Sequence, residues 1–302
     1  MSKILITGGS GLVGSSFESG IKLSSQELNL LDYSQSLEVI KQSKPRSIIH
    51  CAAVVGGLYN NMSNPAIFFD NNIAINSNIL KISKIIGVKK FIGFLSTCIF
   101  PDQLGRPLKE EDLHLGPPHK SNFAYAYAKR MLDIQVESYN QQYKTEYFNV
   151  IPTNIYGPND NFNIENGHVI PALIHKTYLA KKNNKPLVIY GSGIAKREFI
   201  FSKDLSKICT QLIECYNSSK PIIISNSEEE ISIKKIVNII TNIFQFDGEI
   251  IYDKTKSDGQ LRKNTDNSRL KSVIKDLNFT SIENGLKITI DWFVNNYEKA
   301  RK

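Results

Sequence analysis

Three features of this sequence predict an α/β fold with a doubly wound parallel sheet and a smaller C-terminal α/β domain. First, the apolar run "KILIT" (3–7) is typical of a buried strand, and the glycine-rich "GGSGLVGSSF" follows it at once. Second, two further apolar stretches, at 47–57 and 89–101, read as strands that end in small or polar residues. Third, a polar, asparagine-rich loop begins after "IPTNIYGP" (151–158), where the chain changes character.

Composition and charge narrow the class of protein. The 302 residues are 41% hydrophobic and 22% charged, which is ordinary for a globular protein of one or two domains. The apolar runs are too short to span a membrane, and the N-terminus lacks the order of a secretory signal. We therefore predict a cytoplasmic protein with no membrane partner. The cysteines show no C-x-x-C spacing, so we predict neither a disulfide framework nor a metal site: they are Cys51, Cys98, Cys209 and Cys215.

The formal net charge of +8 indicates an anionic partner. The lysines are scattered, as in "KKNNK" (181–185), and form no compact basic stripe with interleaved aromatic residues. A phosphorylated small molecule suits this charge at least as well as a nucleic acid, and we predict no nucleic-acid partner.

The first element is a strand, a glycine turn and a helix in immediate succession. Gly8, Gly11 and Gly14 lie three residues apart, directly after the strand. Glycines allow a tight turn whose backbone N–H groups reach a pyrophosphate at the start of the helix. This unit is typical of the dinucleotide-binding, or Rossmann, fold. The second strand should end in "ELNLLD" (27–32), where Glu27 and Asp32 are both candidates to bind a ribose hydroxyl.

The later strands end where chemistry is expected. In open α/β sheets, ligands bind at the carboxyl ends of the strands. The stretch 47–57 runs into small residues and glycines, which would allow a cofactor to approach the backbone. The stretch 89–101 brings Ser96 and Cys98 to the same edge of the sheet.

The stretch "NFAYAYAKRML" (122–132) is rich in helix formers and predicts a helix. Tyr125 and Lys129 are four residues apart and share a face, whereas Tyr127 points away from them. An ammonium group beside a phenol favours the phenolate, so we expect Lys129 to lower the pKa of Tyr125. The pair is a candidate acid, and Tyr127 is expected to pack at the surface.

Taken together, these residues resemble the extended short-chain dehydrogenase/reductase family, whose members share the glycine turn, a serine after a central strand and Tyr-x-x-x-Lys. Within it, the chain is similar to the GDP-L-fucose synthases from residue 3 to about residue 263. The stretches that carry this resemblance are "HCAAVVGGLYNNMSNPAIFFDNN", "STCIFP", "IPTNIYGPNDNF", "GHVIPALI", "GSGIAKREFIF" and "KSDGQLRK".

The resemblance implies an enzyme that epimerises C3 and C5 of a GDP-linked 4-keto-6-deoxy-hexose and then reduces C4 with NADPH. It implies that Ser96, Tyr125 and Lys129 form the reducing triad. It also implies that Cys98 and His168 are the epimerising base and acid, on opposite faces of the sugar. Cofactor contacts would come from Gly8, Ser10, Gly11, Leu12, Val13, Gly14, Asp32, Ala52, Ala53, Lys129, Pro152, Asn154 and His168.

The second half is expected to hold the GDP-sugar. Its predicted elements are a helix at 169–182, a strand and turn at 186–193, a strand and helix at 197–216, a helix at 231–244 and a closing helix from 285. The resemblance implies that Lys176, Tyr190, Arg197 and Lys263 contact the GDP. We expect residues 1–160 to bind NADP, with 191–216 returning to that domain, and 161–302 mainly to bind the substrate.

Departures from the family pattern leave alternatives open. Some relatives carry arginines that could clasp the 2′-phosphate, where this chain has Ser10 and "SSQE" (24–27). NADPH is still favoured over NADH. The alternative function is a C4 reductase without epimerisation, acting on a GDP-4-keto-heptose or a related sugar for capsule or surface polysaccharide. A non-catalytic nucleotide- or RNA-binding protein is a third possibility, against which the intact triad argues. The resemblance also implies a homodimer.

Overall fold

Short strands and longer helices alternate along the computed structural model, which describes residues 3–102 and 104–302. The strands, numbered in chain order, are β1 (Ile4–Thr7), β2 (Ile21–Leu23), β3 (Ser47–His50), β4 (Lys90–Phe94), β5 (Glu146–Pro152), β6 (Asn154–Tyr156), β7 (Leu187–Tyr190), β8 (Lys196–Phe201), β9 (Ile222–Ile224), β10 (Glu230–Ser232) and β11 (Ile250–Asp253). The helices are α1 (Leu12–Ser16), α2 (Tyr33–Ser43), α3 (Leu58–Ser63), α4 (Pro65–Ile85), α5 (Phe123–Tyr143), α6 (Val169–Lys182), α7 (Ser202–Cys215), α8 (Ile233–Phe244), α9 (Ser268–Val273) and α10 (Ile282–Asn295).

The main sheet has six parallel strands in the order β2-β1-β3-β4-β5-β9. Parallel strands need long crossover connections, and here most of these are helices that cover the sheet. Along β4 the buried side chains alternate between two cores. Phe91 packs with Ile79 of α4 and Leu132 of α5, whereas Ile92 packs with Ile208 of α7 and Leu270 of α9. Helices therefore lie on both faces, which confirms the predicted doubly wound sheet.

The second strand differs from the prediction. It is β2, which ends at Leu23, and residues 27–32 form no strand. Leu28 and Leu30 are buried there, but they are loop residues. Asp32 instead caps α2, because its carboxylate accepts a hydrogen bond from the backbone N–H of Gln35 at 3.0 Å. The apolar residues at alternate positions in 27–32 belong to a packed loop, and this pattern alone does not distinguish such a loop from a short strand.

The second half of the chain builds smaller sheets around its own core. Strands β10, β8 and β6 form one sheet, and β11 pairs with β7 in another. Helices α6, α8 and α10 pack against them through buried residues such as Ile174, Ile240 and Phe293. The predicted helix at 169–182 is confirmed as α6, and the strand and helix within 197–216 are confirmed as β8 and α7.

Two predicted helices have shifted ends. The one expected at 231–244 begins at Ile233, since its first two residues belong to β10. The closing helix begins at Ile282 and ends at Asn295, beyond which the tail folds back so that the N–H of Phe162 donates to the Arg301 carbonyl oxygen at 2.7 Å. Among the described residues, no helix combines the length and the apolar character that crossing a bilayer requires.

Candidate active site

The glycine turn after β1 brings three stretches of backbone into close contact. Gly8 has φ +67°, a left-handed conformation that favours glycine. The N–H of Gly11 donates to the Gly8 carbonyl oxygen at 3.0 Å, and a Cβ on Gly14 would overlap that same oxygen. Leu12 and Val13 open α1 and are half-buried, while Ser10 is exposed at the tip of the turn. The result is a shallow backbone cradle of the kind that accepts a dinucleotide.

A chain of hydrogen bonds between β1, β3 and α4 supports this cradle. The Thr7 hydroxyl oxygen accepts from the N–H of Ala52 at 3.1 Å and lies 2.9 Å from Nδ1 of His50. The other ring nitrogen of His50 lies 3.1 Å from Oδ1 of Asn76. Burial lowers the pKa of His50 to about 3, so the ring is neutral, with one nitrogen donating and the other accepting. The network fixes β3 against β1 and holds Ala52, and Ala53 after it, beside the glycine turn.

The loop after β2 holds the acidic candidates. The Glu27 carboxylate accepts from the N–H and the hydroxyl of Ser24, at 2.8 and 2.7 Å, and these bonds lower the pKa of Glu27. The N–H of Gly9 donates to the Leu23 carbonyl oxygen at 2.8 Å, which ties this loop to the cradle. Glu27 and Asp32 are both exposed, and Asp32 serves the α2 cap. The predicted ribose contact of Asp32 stays a prediction.

Ser96 and Cys98 lie in a tight turn directly after β4. Residues Thr97–Ile99 form a short 3-10 helix, and the Ser96 hydroxyl accepts from the N–H of Cys98 at 3.4 Å. Both side chains are half-buried. The turn therefore presents a hydroxyl and a thiol together at the carboxyl edge of the sheet, as predicted from the strand end.

Tyr125 and Lys129 share a face of α5 and point towards this turn. The Lys129 ammonium donates to the Phe94 carbonyl oxygen at 2.8 Å, and its Nζ lies 5.9 Å from the centroid of the Tyr125 ring. The Asn122 amide, just before α5, donates to the Cys98 carbonyl oxygen at 3.5 Å, so the start of this helix lies against the Ser96–Cys98 turn. Tyr127 is 37% exposed, as expected for the opposite face.

The expected lowering of the Tyr125 pKa is wrong for this structure. Burial of the phenol raises its pKa, and the Cys98 charge adds to the increase. Burial also lowers the pKa of Lys129 to about 8. The sequence shows the i, i+4 pair but not the packing around it, such as the Phe68 ring 6.5 Å from that of Tyr125. Desolvation dominates because Lys129 is buried and Tyr125 is half-buried beside it.

Three further predicted cofactor contacts lie at the ends of elements: Pro152 ends β5, Asn154 begins β6 and His168 precedes α6. The His168 residue is accessible to solvent, although the protein around its imidazole lowers the pKa of the ring by desolvation. The preceding loop is tied to the loop after β3, because the N–H of Gly57 donates to the Asn166 carbonyl oxygen at 2.9 Å. No hydrogen bond among the described residues joins His168 to Cys98. Pro152 ends β5, and the Asn154 amide donates to the Glu198 carbonyl oxygen at 2.9 Å.

The four residues expected to contact GDP fall into two pairs. The Lys176 ammonium lies 3.5 Å from the centroid of the exposed Tyr190 ring, a cation–π contact on the surface of the second core. Arg197 and Lys263 form the second pair, and desolvation is the main cause that lowers the pKa of each side chain.

Sequence reasoning missed three polar groups that shape the site. Asn72 binds both the N–H and the carbonyl oxygen of Val54, each at 3.0 Å, and so fixes the loop after β3. The amide of Gln260 donates to the backbone and side-chain oxygens of Asp102, at 2.7 and 2.8 Å. Arg130 is buried beside Lys129. The asparagines within the apolar pattern of 71–80 were a signal for the first, and the adjacent "KR" was a weak signal for the last.

Comparison with known proteins places the chain among relatives of similar length. The family model described as "NAD dependent epimerase/dehydratase family" matches residues 4–226. A GDP-L-fucose synthase from Dictyostelium discoideum is 45% identical over 311 residues, which cover 99% of this chain and 97% of that protein.

Two solved structures have the same fold. A GDP-L-fucose synthetase from Naegleria fowleri bound to NADP has a TM-score of 0.94 at 38% identity, covering 100% of this chain and 96% of that one. A GDP-6-OMe-4-keto-L-xylo-heptose reductase from C. jejuni has a TM-score of 0.89 at 25% identity, covering 98% of each chain.

Proposed function

Because this chain belongs to the NAD dependent epimerase/dehydratase family, as the resemblance of its motifs predicted, we propose that it epimerises C3 and C5 of a GDP-linked 4-keto sugar and reduces C4 with NADPH. The observation that carries the proposal is geometric: Lys129 reaches from the Tyr125 face of α5 to the Phe94 carbonyl oxygen, at the end of the strand whose following turn presents Ser96 and Cys98. Its relatives from Dictyostelium discoideum and Naegleria fowleri are named as GDP-L-fucose synthase and synthetase.

The cradle formed by Gly8, Gly11 and Gly14 suits the pyrophosphate of NADPH. A side chain at any of the three positions would press against neighbouring backbone atoms, so the turn can stay tight only with glycine. When bound, NADPH supplies the hydride for C4. As negative charge grows on the C4 oxygen, the neutral Tyr125 phenol donates its proton, and the Ser96 hydroxyl donates a hydrogen bond to the same oxygen. The Lys129 ammonium stabilises the phenolate that is left.

Epimerisation uses the same oxygen site. Cys98, as thiolate, removes a proton from the carbon beside the ketone, and the enolate oxygen is held by the hydroxyl groups of Tyr125 and Ser96. His168 returns a proton from the other face of the ring. We propose that Lys176, Tyr190, Arg197 and Lys263 bind the GDP, with cationic side chains facing its diphosphate. One of these, Lys176, is a point charge and lacks the forked donor geometry of an arginine.

The organisation of the chain follows from these roles. We propose that residues 1–160 bind the cofactor together with 191–216, and that 161–302 mainly bind the GDP-sugar. The predicted cytoplasmic location and the predicted lack of a nucleic-acid partner stay predictions.

We also propose a homodimer formed through α5. Four large apolar side chains recur along one face of this helix, and each is between 37% and 50% exposed: Phe123, Tyr127, Met131 and Ile134. A second copy of the same face would cover them in a two-fold symmetric contact.

The test is to incubate the protein with NADPH and GDP-4-keto-6-deoxymannose in heavy water. Deuterium at C3 and C5 of the reduced product is expected. In Tyr125→Phe, reduction should be lost while some exchange survives, and in Cys98→Ser, exchange should stop while an already epimerised ketone is still reduced. Loss of both activities in each variant would contradict this division of roles.

A second candidate is C4 reduction without epimerisation, favoured by the similarity to the heptose reductase from C. jejuni. The heavy-water experiment separates the two candidate functions when it is repeated with a heptose substrate. Reduction of a GDP-4-keto-heptose without deuterium incorporation would support the second candidate, because Cys98 and His168 would then be present but unused.

A further inference from the structure

One buried cation at the site has no part in the chemistry described above. Arg130 follows Lys129 on α5 and is only 4% exposed. Its Nε donates to the Ile99 carbonyl oxygen at 2.7 Å, and its guanidinium carbon lies 5.5 Å from the centroid of the Tyr127 ring. The Nη2 nitrogen is buried without a hydrogen-bond partner among the described residues. Burying a charged guanidinium is costly, so the burial of Arg130 calls for an explanation.

The bond to Ile99 holds the far end of the turn that carries Cys98. Lys129 donates to the Phe94 carbonyl oxygen at the end of β4, and Arg130 donates to the Ile99 carbonyl oxygen five residues later. Two neighbouring cations on one helix thus hold both ends of the segment 94–99. Ser96 and Cys98 lie between these two points.

The two ends are not held equally well by other bonds. On the Ser96 side, the N–H of Leu95 donates to the Val150 carbonyl oxygen at 2.8 Å, which continues the ladder of the sheet. On the Cys98 side, the remaining bonds are longer. The N–H of Ile99 donates to the Ser96 carbonyl oxygen at 3.2 Å, and the Asn122 amide donates to the Cys98 carbonyl oxygen at 3.5 Å. Without Arg130, Cys98 would move more freely than Ser96.

We propose that Arg130 is a positioning residue for Cys98: it fixes the turn so that the sulfur faces the proton to be removed, and it acts on epimerisation far more than on reduction. The proposal rests on the proposed function. It differs from a general structural role in predicting a split between the two activities.

The main experiment measures both activities in Arg130→Met, which keeps the length of the side chain and removes the donor. Deuterium exchange at C3 and C5 should fall about 100-fold, the cost expected for a reacting group displaced by about 1 Å. Reduction of an already epimerised ketone should fall by less than about threefold. Arg130→Lys, which retains a charged donor, should recover most of the exchange. The exposed Arg46, replaced in Arg46→Met, is the matched control and should change neither rate.

A second measurement does not depend on the sugar chemistry. The rate of iodoacetamide labelling at Cys98 is measured by mass spectrometry, with the exposed Cys215 as an internal reference in the same digest. In Arg130→Met, the labelling rate of Cys98 relative to Cys215 should rise several-fold, and in Arg130→Lys it should return towards the original rate. If Arg130→Met does not fold, Arg130→Gln takes its place.

Three results would overturn the proposal: equal losses of exchange and reduction, no loss of exchange, or an unchanged labelling ratio. If the unmodified protein incorporates no deuterium, the proposed epimerase function fails, and the labelling ratio alone then decides whether Arg130 positions Cys98.

Discussion

The ionisation of Lys129 should set the upper pH limit of the enzyme. Burial lowers its pKa from 10.5 to about 8, so the side chain loses its proton within reach of ordinary assays. At pH 7 about nine-tenths of the protein would carry the ammonium, and at pH 9 only about one-tenth would do so. Since the ammonium stabilises the Tyr125 phenolate during reduction, the rate should follow this fraction.

The assay is kcat/KM for NADPH, measured from about pH 6 to about pH 10 by the loss of NADPH absorbance, because this parameter reports the pKa values of the free enzyme. We expect a plateau below pH 8 and a tenfold fall for each further pH unit. The fall in kcat should begin at a higher pH, since the negative charges of the bound cofactor and sugar nucleotide favour the ammonium.

The control is Lys129→Arg, whose guanidinium stays charged throughout this range. Even with a lower maximum rate, its profile should lack the fall that begins near pH 8. A profile of the unmodified protein that is flat to pH 10, or the same fall in Lys129→Arg, would refute the assignment of this ionisation to Lys129.

Three further predictions test the cofactor site and the dimer. In Gly14→Ala the new Cβ would overlap the Gly8 carbonyl oxygen, so the affinity for NADPH should fall at least about tenfold in a fluorescence titration. The control Gly116→Ala, whose Cβ would meet only Pro101 at 3.5 Å, should bind NADPH normally. Glu27→Gln removes a carboxylate from the loop after β2, so the ratio of kcat/KM for NADPH to that for NADH should rise about fivefold; an unchanged ratio would place Glu27 away from the 2′-phosphate. Met131→Glu charges the exposed face of α5 and should give monomers in analytical ultracentrifugation, unlike Ile288→Glu on α10.

The parts of the site that follow from local geometry could be predicted from the sequence. The strand, the glycine turn and the helix are contiguous, so their order alone predicts the cradle. The spacing of Tyr125 and Lys129 likewise fixes their common face, since any helix of this stretch would place them together. Ser96 and Cys98 follow from the rule that strand ends carry the site.

The parts that depend on packing between distant segments could not be predicted. Nothing local distinguishes Arg130, at 4% exposure, from a solvated arginine, because its burial arises from the turn after β4 that packs over it. The direction of the Tyr125 pKa shift failed for the same reason. The approach of the loop before His168 to the loop after β3 rests on a backbone bond between Gly57 and Asn166, residues more than a hundred positions apart.

The raised pKa of Tyr125 is compatible with a role as proton donor at pH 7. A general acid must hold its proton until the oxygen it serves becomes basic, and a phenol with a raised pKa is fully protonated at pH 7. The alkoxide formed when hydride reaches C4 is more basic than an ordinary phenolate, and the Lys129 ammonium stabilises the phenolate that the transfer leaves behind. During epimerisation the same neutral phenol can donate a hydrogen bond to the enolate without losing its proton. Burial, which opposes charge on Tyr125, therefore lets one residue serve both steps, while Lys129 supplies the charge that only the reduction requires.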